Sequence, residues 1–179
     1  MDAAIALYAS AAVLLVIAGA VKVTKPMTAA ELMEDLGAPA SGPLSGARLA
    51  VVLGVVEAGL GIAALVAEVR AVAVGVGVLY VAFAATVLRA MALGSASCGC
   101  FGRIEAPPTW YHVVGNTVLA AVSFVAAAGP SPLEIMDEQP YGGAGFVILV
   151  GVLGGLALIT FTALPEAMAA RRPAKPGAS

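Results

Sequence analysis

The sequence predicts an all-α, polytopic transmembrane helix bundle with five spans, and three observations predict it. Of 179 residues, 61% are hydrophobic and only 11% charged, less than half the roughly 25% charge that covers a soluble globular surface. Five apolar windows of about 20 residues each are long enough to cross a bilayer and carry most of their charges at their edges. These windows are continuously apolar rather than alternating, which excludes the strands of a membrane barrel. The same figures exclude intrinsic disorder, which needs low hydrophobicity and high charge. A net charge of −2 leaves no electrostatic basis for nucleic-acid binding.

The first window, 3–23, is closed by Lys22, Lys25 and Pro26. Ala18-Gly19-Ala20 mimics a signal-peptidase site. However, Asp2 and no basic residue precede the apolar run, and Lys22 and Lys25 follow it, so it reads as an uncleaved span. The second window, 48–68, holds one internal charge, Glu57. The third, 71–93, follows Arg70 and carries Arg89 near its end. The fourth, 110–128, opens after Pro107-Pro108 and stops before Gly129-Pro130. The fifth, 142–164, is followed by Pro165. Together they define a single integral membrane domain over 1–165, with short loops and no soluble domain. A tail over 166–179 is predicted to be disordered.

Charge sets the orientation. Lys22, Lys25, Arg48, Arg89, Arg103, Arg171, Arg172 and Lys175, eight of the nine basic residues, fall on one side, and only Arg70 on the other. The positive-inside rule places the N-terminus outside and the C-terminus in the cytoplasm, as expected for a multi-pass protein of the inner (plasma) membrane.

The spans are rich in Ala, Val, Gly and Leu, so close backbone approach at small residues is the expected packing device. Gly151 and Gly155 form a GxxxG pair, and Gly54, Ala58, Gly61 and Gly75 lie in similar runs, all read as contacts within one bundle. The polar exceptions are more informative. Glu57 sits near the middle of the second window, where a carboxylate costs roughly 3 kcal/mol on insertion scales. It must be protonated, paired or facing a polar cavity. Lys22 and Arg89, near span ends, are expected to snorkel to the headgroups. His112 and Asn116 share a face of the fourth window at i, i+4. The turns put Lys22, Arg89, Trp110, His112 and Asn116 at one end of the bundle, with Glu57 roughly 13 Å deeper.

At that end lies Ser95-Ala96-Ser97-Cys98-Gly99-Cys100-Phe101-Gly102, which contains the only two cysteines. Two cysteines around one glycine can close a small strained ring, with Gly99 supplying the unusual backbone angles. Strained or exposed disulfides are the easily reduced kind. Arg89, Arg103 and the start of the fourth helix would favour the reactive thiolate. Two other readings stand beside redox chemistry: small buried apolar side chains, and soft ligands holding Cu(I) in two-coordinate geometry. One His and two Cys fall short of a zinc site, so no resident metal is assigned.

The Cys98-Gly99-Cys100-Phe101-Gly102 string, Lys22 closing the first helix, Glu57 followed by Gly61, and Trp110 through Asn116 opening the fourth together resemble the methylamine utilisation protein MauE family, within the wider DoxX-like redox-associated membrane proteins. The resemblance covers about the first four helices. It implies a four-helix core similar in outline to vitamin K epoxide reductase relatives. It also implies a role beside a thioredoxin-like thiol protein in maturing the disulfide-rich small subunit of methylamine dehydrogenase. A quinone is the cofactor such a bundle would take, although this chain has one CxC pair rather than two separate pairs and would need a second thiol protein.

The expected mechanism is thiol–disulfide exchange by Cys98 and Cys100. Glu57 or His112 would move the proton, Lys22, Arg89 and Asn116 complete the polar cluster, and Phe101 and Trp110 border a quinone-sized slot. The charge count puts the cysteine loop on the cytoplasmic side, whereas direct maturation of an exported enzyme needs thiols outside. Cytoplasmic thiols would instead exchange electrons on the inside. A non-catalytic assembly subunit, packing on a larger membrane complex through its small-residue faces, is the remaining alternative.

Overall fold

A computed structural model describes residues 2–67, 70–95 and 108–170. Among them seven α-helices occur in the order α1 (Asp2–Thr24), α2 (Met27–Asp35), α3 (Gly46–Val66), α4 (Arg70–Leu93), α5 (Trp110–Ala126), α6 (Pro132–Glu138) and α7 (Ala144–Ala170), with a 3₁₀ turn at Pro140–Gly143 before α7. Helices α1, α3, α4 and α7 are long and apolar enough to cross a membrane, and α5 is a shorter apolar helix of 17 residues. The chain is thus an integral membrane protein of several candidate spans. At a rise of about 1.5 Å per residue α5 is ~25 Å long, a little less than the ~30 Å hydrocarbon layer.

The hub is α1. Of its apolar window 61% is buried, against 22–33% for the other three long helices, because it packs against α3, α5 and α7. Helices α3, α4, α5 and α7 turn Val52, Val56, Val78, Val114, Val118 and Ile159 outward as exposed apolar side chains, a surface suited to lipid rather than water.

Close approach holds α1 to α3. The residues that α3 buries are Gly46, Ala50, Gly54, Glu57, Gly61 and Ala64, a small-residue stripe broken only by Glu57. A Cβ on Gly61 would lie 2.6 Å from the Ala12 carbonyl oxygen, and one on Gly54 2.8 Å from that of Gly19; only hydrogen fits. Backbone carbonyls are also tied by side chains, as expected where apolar contact alone gains little in lipid. Tyr80 of α4 donates to Ala11 O at 2.8 Å, and Ser10 of α1 to Val150 O of α7 at 3.2 Å. Gly151 and Gly155 behave otherwise: a Cβ there meets nothing within 4 Å. The intrabundle role expected for this pair is therefore corrected, since both glycines face away from the core.

Two short helices replace expected loops. Pro26 opens α2, and Gly37 closes it at φ +106. There Ala38 N–H donates to Met33 O and Gly37 N–H to Glu34 O, the 6→1 and 5→2 pair of a Schellman motif. In α6, Ser131 Oγ accepts from Glu134 N–H while the Glu134 carboxylate accepts from Ser131 N–H, a full capping box with Pro132 at the first turn. The last helix also differs from expectation. Rather than stopping before Pro165, α7 runs to Ala170, which a helix absorbs at the loss of one N–H bond when neighbouring groups compensate.

Candidate functional site

The polar cluster expected at one end of the bundle forms around Lys22 and Glu57. Helices α1 and α3 run antiparallel, with Gly19 against Gly54 and Ala58, and Ala12 against Gly61. This register sets Lys22 beside Gly54, about one turn above Glu57. Because the glycines remove any side chain between the backbones, the lysine stem reaches down that turn. Its Nζ lies 2.9 Å from Glu57 Oε2, with side-chain exposures of 7% and 0%. The ring of Phe83 on α4 lies 5.8 Å from the same ammonium, within cation–π range. Lys22 is therefore paired inside the bundle and does not snorkel to the headgroups as expected from its position. The second Glu57 oxygen, Oε1, is buried and has no hydrogen-bond partner among the described residues.

His112 and Asn116 both face inward from α5, as their spacing requires, and both are buried. His112 Nδ1 accepts from Thr109 N–H at 3.2 Å, and His112 Nε2 lies 2.9 Å from the Phe161 carbonyl oxygen of α7. A backbone N–H can only donate and a carbonyl can only accept, so the pattern selects the neutral ring with its proton on Nε2. The histidine therefore caps α5 and ties it to α7. Its ring also stacks on Phe161 at 5.9 Å between centroids. Asn116 gives one Nδ2 hydrogen to His112 O at 2.7 Å. Its Oδ1 and remaining Nδ2 hydrogen have no partner among the described residues.

Lys22, His112 and Asn116 share a partly open cavity of about 170 Å³. Leu14, Leu15 and Ala18 of α1 form one wall, and Tyr80, Phe83 and Thr86 of α4 another. Helix α2 covers it with Leu32, Met33 and Leu36, and Phe161 closes the far side. Its surface is overwhelmingly apolar. The polar side chains that reach it are Lys22, Tyr80, Thr86, His112 and Asn116, of which Tyr80 and His112 are occupied by backbone groups.

Other candidates fall elsewhere. Arg89 is exposed on α4 and does not line the cavity. Trp110 is 62% exposed and is likewise absent from the cavity wall. At 100° per residue it lies ~125° around α5 from the mean direction of His112, Val113, Asn116, Leu119, Ala120 and Ser123. Trp110 therefore does not border the cavity, whose described phenyl and phenol rings are those of Tyr80, Phe83 and Phe161. Cys98, Cys100, Phe101 and Arg103 lie outside the described residues. The segment that carries them begins after Gly94, which ends α4 at φ +70 in a second Schellman motif, with Ser95 N–H donating to Ala90 O at 3.0 Å.

Sequence reasoning missed Phe83, Thr86, Phe161 and the α2 lid. Thr86 is one of two hydroxyl side chains in the apolar run of α4, with Tyr80, and α2 was marked by Pro26 and Gly37. Phe161 was marked only by Pro165, four residues on, whose missing N–H frees the Phe161 carbonyl.

Fold and site together define a class: a polytopic α-helical membrane protein with a buried Lys–Glu pair beside an apolar cavity and a CxC in its sequence. Residues 2–129 match the family described as methylamine utilisation protein MauE, and the chain belongs to that family. The match takes in α1 through α5 and leaves α6 and α7 outside, so Phe161, which accepts from His112, comes from beyond the family region. No curated protein and no solved structure gives a significant match.

Proposed function

We propose that this MauE family member serves methylamine utilisation as a thiol–disulfide exchange factor, with Cys98 and Cys100 as the working pair and a thioredoxin-like protein as its partner. The protein ultimately served is a disulfide-rich one in maturation, such as the small subunit of methylamine dehydrogenase, which thiols on the cytoplasmic side reach only through a partner and not by direct exchange. Placement supports this reading most directly. Helix α4 ends at Gly94 and α5 begins at Trp110, at the bundle end where Lys22, Thr86 and Asn116 open on the cavity. The two helix ends that flank the cysteines in sequence therefore lie at that end.

In the exchange, one cysteine thiolate attacks a partner disulfide, forming a mixed disulfide and releasing one partner thiol. The second cysteine then displaces the other partner sulfur, leaving Cys98–Cys100 oxidised and the partner reduced by two electrons. The reverse sequence oxidises the partner. In this reading α5 also crosses the bilayer, giving five spans with the N-terminus outside and the cysteine segment on the cytoplasmic side of the inner membrane, in keeping with the distribution of basic residues.

Trapping tests the proposal. Cys98→Ser or Cys100→Ser should accumulate a reductant-sensitive mixed disulfide with a thioredoxin-like protein on non-reducing gels. If neither variant traps a partner and both thiols resist alkylation, the redox reading fails. Labelling intact cells with an impermeant thiol reagent should leave the pair unmodified; modification would place it outside, in direct reach of an exported substrate.

A further inference from the structure

A second cleft lies at the end of the bundle opposite Lys22, and we infer that it binds the zwitterionic head of a membrane phospholipid, a phosphate diester carrying a primary ammonium. Its walls come from Tyr8 of α1, Ala67 after α3, Arg70 and Ala73 of α4, Ala126 of α5 and Glu134 of α6. The remaining lining is alanine, glycine, proline and Ser131, whose hydroxyl is committed to the Glu134 N–H. Tyr8, Arg70 and Glu134 therefore supply its chemistry.

These three groups are unspent. Arg70 and Glu134 line one cleft, yet neither enters an ion pair among the described residues. Glu134 is held by its own helix: one carboxylate oxygen accepts from Ser131 N–H in the α6 capping box, which leaves the other open. Arg70 opens α4 with five guanidinium N–H donors. Tyr8 is only 4% exposed, and its hydroxyl is neither hydrogen-bonded nor fully enclosed among the described residues, so it opens on the cleft that its side chain lines. A nearly buried hydroxyl without a partner carries a desolvation cost that a bound acceptor removes. The helix ends repeat the pairing of charges. Here α4 begins, with its partial positive charge, and α5 ends, with its partial negative charge.

Charge selects the occupant. A simple anion would answer Arg70 and Tyr8 but bring a like charge to Glu134, and a simple amine would do the reverse. A head with both charges answers both residues and leaves the site neutral. Its phosphate accepts from the Arg70 fork and the Tyr8 hydroxyl, and its ammonium donates to the open Glu134 oxygen in a charge-assisted hydrogen bond. A trimethylated ammonium has no N–H to give, so ethanolamine is favoured over choline. Depth selects a lipid as the source. The cleft sits where α1 and α4 begin and α3 and α5 end, the level at which a span leaves the hydrocarbon for the headgroup layer. Val66, Val74 and Val125, close by in sequence on three of these helices, are exposed and offer acyl chains an apolar surface. No residue of this site takes part in the exchange chemistry proposed above, so either can fail alone.

Native mass spectrometry of the full chain released from detergent micelles tests the inference, with equimolar phosphatidylethanolamine, phosphatidylglycerol and phosphatidylcholine of identical acyl chains. One phosphatidylethanolamine should remain per chain, at about tenfold preference over either competitor. Arg70→Gln should reduce its retention about tenfold through loss of the charge-assisted bonds. Glu134→Gln keeps the α6 capping box, which glutamine also serves, and should abolish the preference for phosphatidylethanolamine over phosphatidylglycerol. Arg48→Gln, at an exposed basic residue near the other end of α3, should change neither retention nor preference. Equal retention of the three lipids by the native chain, or native selectivity in both Arg70→Gln and Glu134→Gln, would overturn the site. Displacement of the lipid by equimolar glycerophosphoethanolamine, its water-soluble head, would overturn the lipid as occupant and assign a free zwitterion instead.

Discussion

Removing Lys22 should destabilise the bundle far more than removing the whole ion pair. At 2.9 Å, and with an effective dielectric constant of ~20, the gross attraction is about 6 kcal/mol. Much of this offsets the desolvation of two buried charges, so the pair contributes little net stability compared with apolar side chains of the same volume. Breaking it is different. Lys22→Met leaves the Glu57 carboxylate wholly buried, with one oxygen that has no described partner even in the intact protein. The expected cost is about 3–5 kcal/mol. The double variant Lys22→Met/Glu57→Met should lie within ~1 kcal/mol of the native chain or be more stable. Equilibrium unfolding in mixed micelles with increasing SDS, followed by far-ultraviolet circular dichroism, gives the three values needed for a double-mutant cycle. A coupling energy below ~1 kcal/mol, with Lys22→Met as stable as the double variant, would refute the claim that this lysine holds a buried charge in check.

Four further outcomes follow from the geometry. Gly61→Leu should separate α1 from α3 and cost more than about 2 kcal/mol, because even its Cβ would meet Ala12 O at 2.6 Å. The same unfolding titration should show Gly151→Ala, on an open face, neutral or stabilising, since helix propensity favours alanine by about 1 kcal/mol. His112→Leu should cost about 1–3 kcal/mol by stranding Phe161 O and Thr109 N–H, and hydrogen exchange at the start of α5 should rise with it. Ser131→Ala should lose the α6 cap, about 1 kcal/mol, and accelerate exchange of the Glu134 amide while leaving α1 protection unchanged.

Much of the site was legible one residue at a time but not as contacts. Glu57 was recognisable because a carboxylate in the middle of an apolar window requires a partner, and His112 with Asn116 because four-residue spacing puts both on one helix face. Lys22 was misleading: near a span end, snorkelling outward and pairing inward look identical in sequence. The difference lies in the rotation of α1 and its glycine-permitted approach to α3. The small residues were similarly ambiguous. Gly54 and Gly61 turn inward and Gly151 outward, yet all three sit in the same kind of run. The α2 and α6 helices had signals in Pro26, Gly37 and the Ser131–Glu134 pair, outweighed by the assumption that connections between spans are short loops.

By itself the sequence determined that this chain lives in a bilayer, where its long apolar helices lie, and which polar residues stand out within or beside them. These properties follow from length, local hydropathy and helical period, which neighbouring residues specify alone. Only the tertiary structure decided that Lys22 belongs to Glu57, that His112 is committed to Phe161 and Thr109, and that Asn116 and Thr86 share an apolar cavity closed by α2. Each joins side chains from different helices, and their meeting depends on rotations and backbone distances that no single helix encodes.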